Sequence, residues 1–224
     1  MIVVRDVTDL EPAPRAVAIG VFDGVHRGHQ AVIGAAVASE QRATVITFEP
    51  HPRLVLGYGV QLLCPLERRL ELIGACGVDD VLVIDCTPEL SRLTPAEFAH
   101  AVLEPVGAET INVGADFRFG HGRKGDVDVL RELGYPVVGV PVVAGVSSSE
   151  IRASIAEGDV TRAAGMLARP FEVAGEVVAG DRRGGTLGFP TANLAIAPTL
   201  LAPTYGIYAG YALDTRAAIS IGVN

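Results

Sequence analysis

Two rhythms of apolar and polar positions alternate along the first two-thirds of the chain. Short apolar runs at 17–22, 43–48, 81–84, 110–113 and 137–140 have the length and β-branched content of buried strands. Between them, 30–41, 65–75, 95–103 and 127–133 carry the spacing of amphipathic helices. Strand and helix in strict alternation build parallel βαβ units, so the pattern predicts an α/β fold on a doubly wound parallel sheet.

Helix ends carry their own signals. Thr94-Pro95-Ala96-Glu97 offers an N-cap, a proline at the first helical position and a capping-box glutamate. Ser147-Ser148-Ser149-Glu150 repeats that chemistry, Gly158 ends the helix it opens, and Asp159 can cap the next. After Arg169-Pro170 the texture turns β-rich, as in 171–178 and 206–213. The expected boundary lies near Arg169, with a first domain over 1–169 and the start of a second over 170–224.

Composition narrows the classes. With 49% hydrophobic residues in 224 the chain can fill a core, which argues against disorder. Eighteen basic against 26 acidic residues give a net charge of -8, and that field repels nucleic acid and anionic membranes at long range. Any phosphate must therefore be held by local groups. Cys64, Cys76 and Cys86 form an odd set without a C-x-x-C pair, so neither a disulfide framework nor a cysteine zinc site is indicated. Arg5, Asp6 and Asp9 interrupt the first ten residues, unlike a secretory signal. The longest apolar stretch, 137–146, is broken by Gly139, Pro141 and Gly145, well short of the roughly 18 residues of a membrane span. A soluble, cytoplasmic protein with no nucleic-acid or membrane partner is expected.

The densest chemistry is Gly20-Val21-Phe22-Asp23-Gly24-Val25-His26-Arg27-Gly28-His29, placed where the first of these strands passes into a helix. Backbone N–H groups and the positive helix end converge there on the crevice of an open α/β sheet. Glycines at 20, 24 and 28 let a ligand approach the backbone. Histidines three apart can face one way and donate to phosphate without a permanent full charge. Alone, H-x-x-H reads first as a partial metal site or a polar helix start; the neighbouring F-D-G and G-H reverse that weighting toward phosphate.

The segment G-x-F-D-G-x-H-x-G-H resembles the H-x-G-H motif of the nucleotidylyltransferase superfamily in its FAD synthetase form. The likeness continues through Thr47-Phe48-Glu49-Pro50-His51-Pro52, Val113-Gly114-Ala115-Asp116-Phe117-Arg118-Phe119-Gly120, Arg123-Lys124-Gly125-Asp126 and Val146-Ser147-Ser148-Ser149-Glu150-Ile151-Arg152. In order and spacing these resemble the prokaryotic bifunctional riboflavin kinase/FMN adenylyltransferases over essentially the whole chain. The resemblance implies a Rossmann-like nucleotidylyltransferase domain in which a phosphate oxygen of FMN attacks the α-phosphorus of ATP, with Mg²⁺ assisting and pyrophosphate leaving. It implies catalytic roles for His26, His29 and Arg152, and ATP or phosphate contacts from Gly20, Phe22, Asp23, Gly28, Ser147 and Ser148. Asp116, Phe117 and His51 are its flavin-side candidates. Plain alternatives stand beside these: Asp23 as a turn residue, the serines as a helix cap with a surface arginine, Phe117 and Phe119 as loop anchors, and His51 as a structural histidine in a proline-flanked loop.

Residues 180–194, ending in Pro190-Thr191-Ala192-Asn193, resemble the riboflavin kinase signature. Gly180, Gly184 and Gly188 could wrap ATP phosphates as an anion-binding nest, and Thr191 and Asn193 could offer neutral oxygens to Mg²⁺; a hairpin with a capping threonine is the alternative. Gly185 stands where the family commonly has an arginine. The run 218–224 resembles a kinase strand that the family continues further, so the expectation is an incomplete all-β riboflavin kinase barrel and no conversion of riboflavin to FMN by a 224-residue form. Two other functions fit the first motif: adenylylation of a different phosphate acceptor, and a catalytically silent flavin or nucleotide sensor.

Overall fold

The computed structural model of the chain describes residues 1–179 and 191–222. It divides into two compact units, Met1–Val60 with Leu66–Ser147, and Gln61–Pro65 with Ser148–Asn224.

The first unit is built on a six-stranded sheet. In chain order its strands are β1 (Ile2–Val4), β2 (Arg15–Ile19), β3 (Arg42–Glu49), β4 (Asp80–Asp85), β5 (Ala108–Gly114) and β6 (Val137–Val140). Their spatial order is β1-β4-β3-β2-β5-β6, and every pairing is parallel. Its helices are α1 (Arg27–Val37), α2 (Pro52–Val55), α3 (Leu66–Gly74), α4 (Pro88–Arg92), α5 (Pro95–Phe98), α6 (Glu104–Val106) and α7 (Val127–Glu132). The doubly wound α/β reading therefore holds for this unit.

Side chains alternate across a strand, and here the alternation splits the core in two. Val17, Ile19, Ile46, Leu82, Ile111 and Val113 point to one face, against Phe98, Val102, Leu103, Val106 and Leu130. Ala16, Ala18, Val45, Val81 and Val83 point to the other, where Val32, Ile33 and Ala36 of α1 and Ile73 of α3 cover them. Buried on both faces, β2 is apolar at four consecutive positions, Ala16 to Ile19, as parallel strands require.

Several boundaries differ from the expected ones for local reasons. The first strand of the motif ends at Ile19 rather than Phe22: Gly20 N–H still donates to the Ile46 carbonyl at 3.1 Å, but Thr47 and Arg69 hold the Val21 carbonyl and the chain turns, Phe22 sitting at φ +54°. Helix α1 starts at Arg27, capped by His26. The expected helix over 95–103 runs on to Val106 through a wider turn at Ala99–Leu103, immediately ahead of Pro105, which has no N–H to give. Thr94 and Glu97 form the full capping box. The edge strand β1 was not expected.

At the amino-terminal end of the sheet the charged residues are buried. Arg15, 0% exposed, reaches Asp80 and donates to Thr44 Oγ1 at 3.0 Å. Arg42 donates to both Asp80 oxygens, at 2.6 and 2.9 Å. One carboxylate thus joins the first residues of β2, β3 and β4 and pins their register. Burial by itself would raise the Asp80 carboxyl, but hydrogen bonds and charge from Arg42 and Arg15 together outweigh it and hold the carboxyl below its ordinary value.

The second unit holds α8 (Ser148–Ala156) and α9 (Val160–Leu167), with Gly158 at φ +82° between them and the Asp159 carboxylate accepting from Arg162 N–H at 2.9 Å. Its strands β7 (Glu176–Val178) and β8 (Asn193–Ala195) pair antiparallel, as do β9 (Gly206–Ala212) and β10 (Thr215–Ile221). Leu62 joins it through bonds to Thr199 and Leu201. The described residues show two separate strand pairs and two helices; a closed barrel is not among them.

Candidate nucleotide site

Strand order places the crevice. From β2 the chain moves to β3 on one side, and β5 flanks β2 on the other, so the connections diverge at the carboxyl ends of β2 and β5. Ligands of open parallel sheets bind at such a switch point. The segments leaving that edge are 20–26 after β2, 50–51 after β3, 115–126 after β5 and 141–147 after β6. All of them belong to the first unit.

The 20–26 turn is held in an uncommon conformation. Phe22, Gly24 and Val25 all have positive φ, at +54°, +78° and +41°; only the glycine adopts this without cost, and the other two persist because their surroundings fix them. Phe22 and Val25 are core residues, 2% and 1% exposed. The Val21 carbonyl accepts from Thr47 Oγ1 at 3.0 Å and from an Arg69 guanidinium nitrogen at 3.0 Å. Arg69 also pairs with Glu49. Gln30 Nε2 closes the turn on the Val25 carbonyl at 2.9 Å.

His26 is the N-cap of α1. Its Nδ1 accepts from His29 N–H at 3.3 Å, an arrangement that leaves Nε2 as the ring nitrogen able to donate. The two imidazoles stack, centroids 3.6 Å apart and planes 19° from parallel. Phe22 meets His29 edge-on at 5.2 Å. The pair thus stands at a helix N-terminus, one ring in the cap and one in the first turn, as a hydrogen-bonding element with the helix dipole behind it.

The glycines serve this packing as much as ligand access. A Cβ on Gly20 would lie 2.9 Å from the Phe22 ring, and one on Gly28 would lie 3.2 Å from His26 Cε1. Gly28→Ala is therefore informative. In an exposed helical turn the change would stabilise by up to about 1 kcal/mol; here it displaces the capping ring. Turnover is expected to fall about tenfold or more while the melting temperature moves little, read by steady-state rates beside thermal unfolding.

The remaining candidates are placed as follows. Asp23 lies in the turn, 3% exposed. His51, 8% exposed, caps α2 through Nδ1, which accepts from Arg53 N–H at 3.1 Å. Asp116 is exposed beside Gly114, and Phe117 stacks on Phe119 at 5.6 Å, which in turn meets Phe98 at 5.7 Å. Ser147 ends the first unit; Ser148 opens α8 in the second, and there Arg152 Nε donates to the Gln61 carbonyl at 2.7 Å. Thr191 is exposed, and Asn193 opens β8 opposite Val178. Gly180, Gly184 and Gly188 lie outside the described residues. Arg69 is the residue that sequence reading passed over. Leu66, Leu70 and Ile73 mark the apolar face of α3, and position 69, three after 66 and four before 73, lies on it; an arginine there is the available signal.

A parallel sheet of this order with a histidine-capped helix start at its switch point defines a Rossmann-like nucleotide-binding domain. The family description FAD synthetase matches residues 9–156, and Riboflavin kinase matches 167–224. The chain belongs to the FAD synthetase family. It is 36% identical over 209 residues to a bifunctional riboflavin kinase/FMN adenylyltransferase of Listeria monocytogenes, covering 87% of this chain and 67% of that one. The Escherichia coli K12 protein of the same name is 33% identical over 227 residues, 93% of this chain and 72% of the relative. A solved Streptococcus pneumoniae structure, named a macrolide-efflux protein, matches with a TM-score of 0.87 at 28% identity, over 99% of this chain and 78% of that one.

Proposed function

We propose that the chain makes FAD by adenylyl transfer, FMN and ATP giving FAD and pyrophosphate, with the transferase domain over 1–169 and the first part of an all-β riboflavin kinase barrel beginning at 170. Membership of the FAD synthetase family and relatives named for both riboflavin kinase and FMN adenylyltransferase support this. Transport is not carried over from the Streptococcus protein: among the described residues no helix is long and apolar enough to cross a membrane.

The observation that carries the mechanism is the stacked His26–His29 pair at the start of α1. An oxygen of the FMN phosphate forms a bond to the ATP α-phosphorus as the bond to the bridging oxygen breaks, and pyrophosphate leaves with that electron pair. The nucleophile is already anionic, so no general base is needed, and catalysis is positioning and charge stabilisation. His26 Nε2–H and the His29 ring, with the α1 N-terminus, would bear on the ATP phosphates, and Gly20, Phe22, Asp23 and Gly28 shape the turn around them. Ser147, Ser148 and Arg152 are assigned to the leaving pyrophosphate, and Asp116, Phe117 and His51 to the flavin side.

Asp23 is the acidic side chain of the 20–29 segment. One buried carboxylate suits Mg²⁺ shared with triphosphate oxygens better than a dedicated protein cage. Bound there, Mg²⁺ would neutralise charge on the leaving group. In a full-length form, Gly180, Gly184 and Gly188 are assigned to nucleotide phosphate, and Thr191 and Asn193 to Mg²⁺, in riboflavin phosphorylation.

An acceptor panel tests the substrate assignment: FMN, nicotinamide mononucleotide and phosphopantetheine, each with Mg-ATP, followed by pyrophosphate release. FMN alone should support rapid release. Preference for another acceptor contradicts the assignment, and tight binding of FMN and ATP without product contradicts catalysis.

A further inference from the structure

We infer that Arg69, outside every motif of the nucleotide site, is a positioning residue for adenylyl transfer: it fixes the turn that seats His29. The inference rests on the adenylyl-transfer reading of the 20–29 segment. Arg69 is 3% exposed, on α3, and a guanidinium is costly to bury without partners. Its partners are the Val21 carbonyl, at 3.0 Å, and the Glu49 carboxylate. These come from two different segments at the carboxyl edge of the sheet, the turn after β2 and the last residue of β3.

The Val21 carbonyl is a sensitive point to hold. It precedes Phe22 at φ +54°, a conformation that a residue with a Cβ keeps only when its neighbours enforce it. Two donors, Arg69 and Thr47 Oγ1, fix that peptide plane. The orientation of the plane sets where the Phe22 ring goes, and the ring edge braces His29 at 5.2 Å. The chain of contact runs Arg69, Val21, Phe22, His29. A planar fork reaches both acceptors at once; a single ammonium nitrogen lacks that spread.

The test uses Arg69→Lys in the full chain, with two readouts. The first is FAD formation, where kcat should fall about 10- to 100-fold, the scale of a small misplacement in a preorganised site, with KM for ATP within about threefold of wild type. The second is the ring carbon-proton NMR signals of ¹³C-labelled histidines without substrate. The His26 and His29 signals should move, while that of His100, exposed on the helical segment 99–103, should stay. An unchanged kcat with unmoved His29 signals overturns the inference. Should wild type itself form no FAD, the adenylyl-transfer reading fails, and the NMR comparison still decides whether Arg69 seats His29. Should Arg69→Lys not fold, Glu49→Gln, which removes the counter-charge that holds Arg69 beside the Val21 carbonyl, decides: moved His29 signals support the inference, unmoved signals overturn it.

Discussion

Replacing His29 by alanine is expected to lower the turnover of FAD formation by about 100-fold or more, the scale for losing one preorganised donor to a transition state. The side chain lies in the first turn of α1, stacked on His26 and braced by Phe22, so the loss removes a donor from a rigid site that water cannot reproduce. The helix itself should survive. His26 caps α1 by accepting from the backbone N–H of residue 29, which an alanine still supplies. Far-UV circular dichroism and melting temperature should therefore stay near wild type while kcat collapses. Near-normal turnover would remove His29 from the mechanism.

Asp80→Ala is expected to cost about 3–5 kcal/mol of folding stability, because it leaves Arg15, 0% exposed, without its counter-charge. That is a large part of the roughly 5–15 kcal/mol that holds a domain together. Denaturant titration should show the loss as an earlier midpoint at an unchanged slope. The same carboxylate predicts acid sensitivity of a definite sign. Its folded value is held below the ordinary 3.8, so the unfolded chain binds the proton more readily. The stabilisation is present in full above the unfolded value, near neutral pH, and is lost as pH falls below about 4 toward the folded value. In Asp80→Ala the stability curve should be flatter across that acid window than in wild type; an equally steep curve would remove Asp80 as the responsible group.

Much of the first unit was legible because its signals are local. Strands buried on both faces announce themselves as unbroken apolar runs, and β3, β4 and β5 lie within a few residues of where those runs fall. The capping box at Thr94 and the Asp159 cap are chemistry between neighbours, and both formed as written. What failed to show is what depends on distant residues. Phe22 reads as one more apolar strand residue, and only the clamp on Val21 from Thr47 and Arg69 turns it out of the strand. Three residues at the start of the chain read as nothing until β4 offers β1 an edge. Arg15 and Arg69 look like solvated charges, yet both are buried, because their partners lie 65 and 20 residues away along the sequence.

The candidate site was legible in a similar measure. Glycine, histidine and strand-to-helix position marked the 20–29 segment, and the structure adds how its parts brace each other: histidine as a cap, glycines clearing space for rings, a carbonyl pinned from two sides. Roles that rest on substrate contact, as proposed for Asp116, His51 and Arg152, are tested by the reaction itself.

The most direct such reaction is a single turnover with ATP labelled at the α-phosphorus, excess chain, FMN and magnesium. One label in FAD for each pyrophosphate released is the expected result, since the α-phosphorus passes to the flavin phosphate. Label that ends in AMP, or stays in ATP while FMN is unchanged, would contradict adenylyl transfer at the His26–His29 corner.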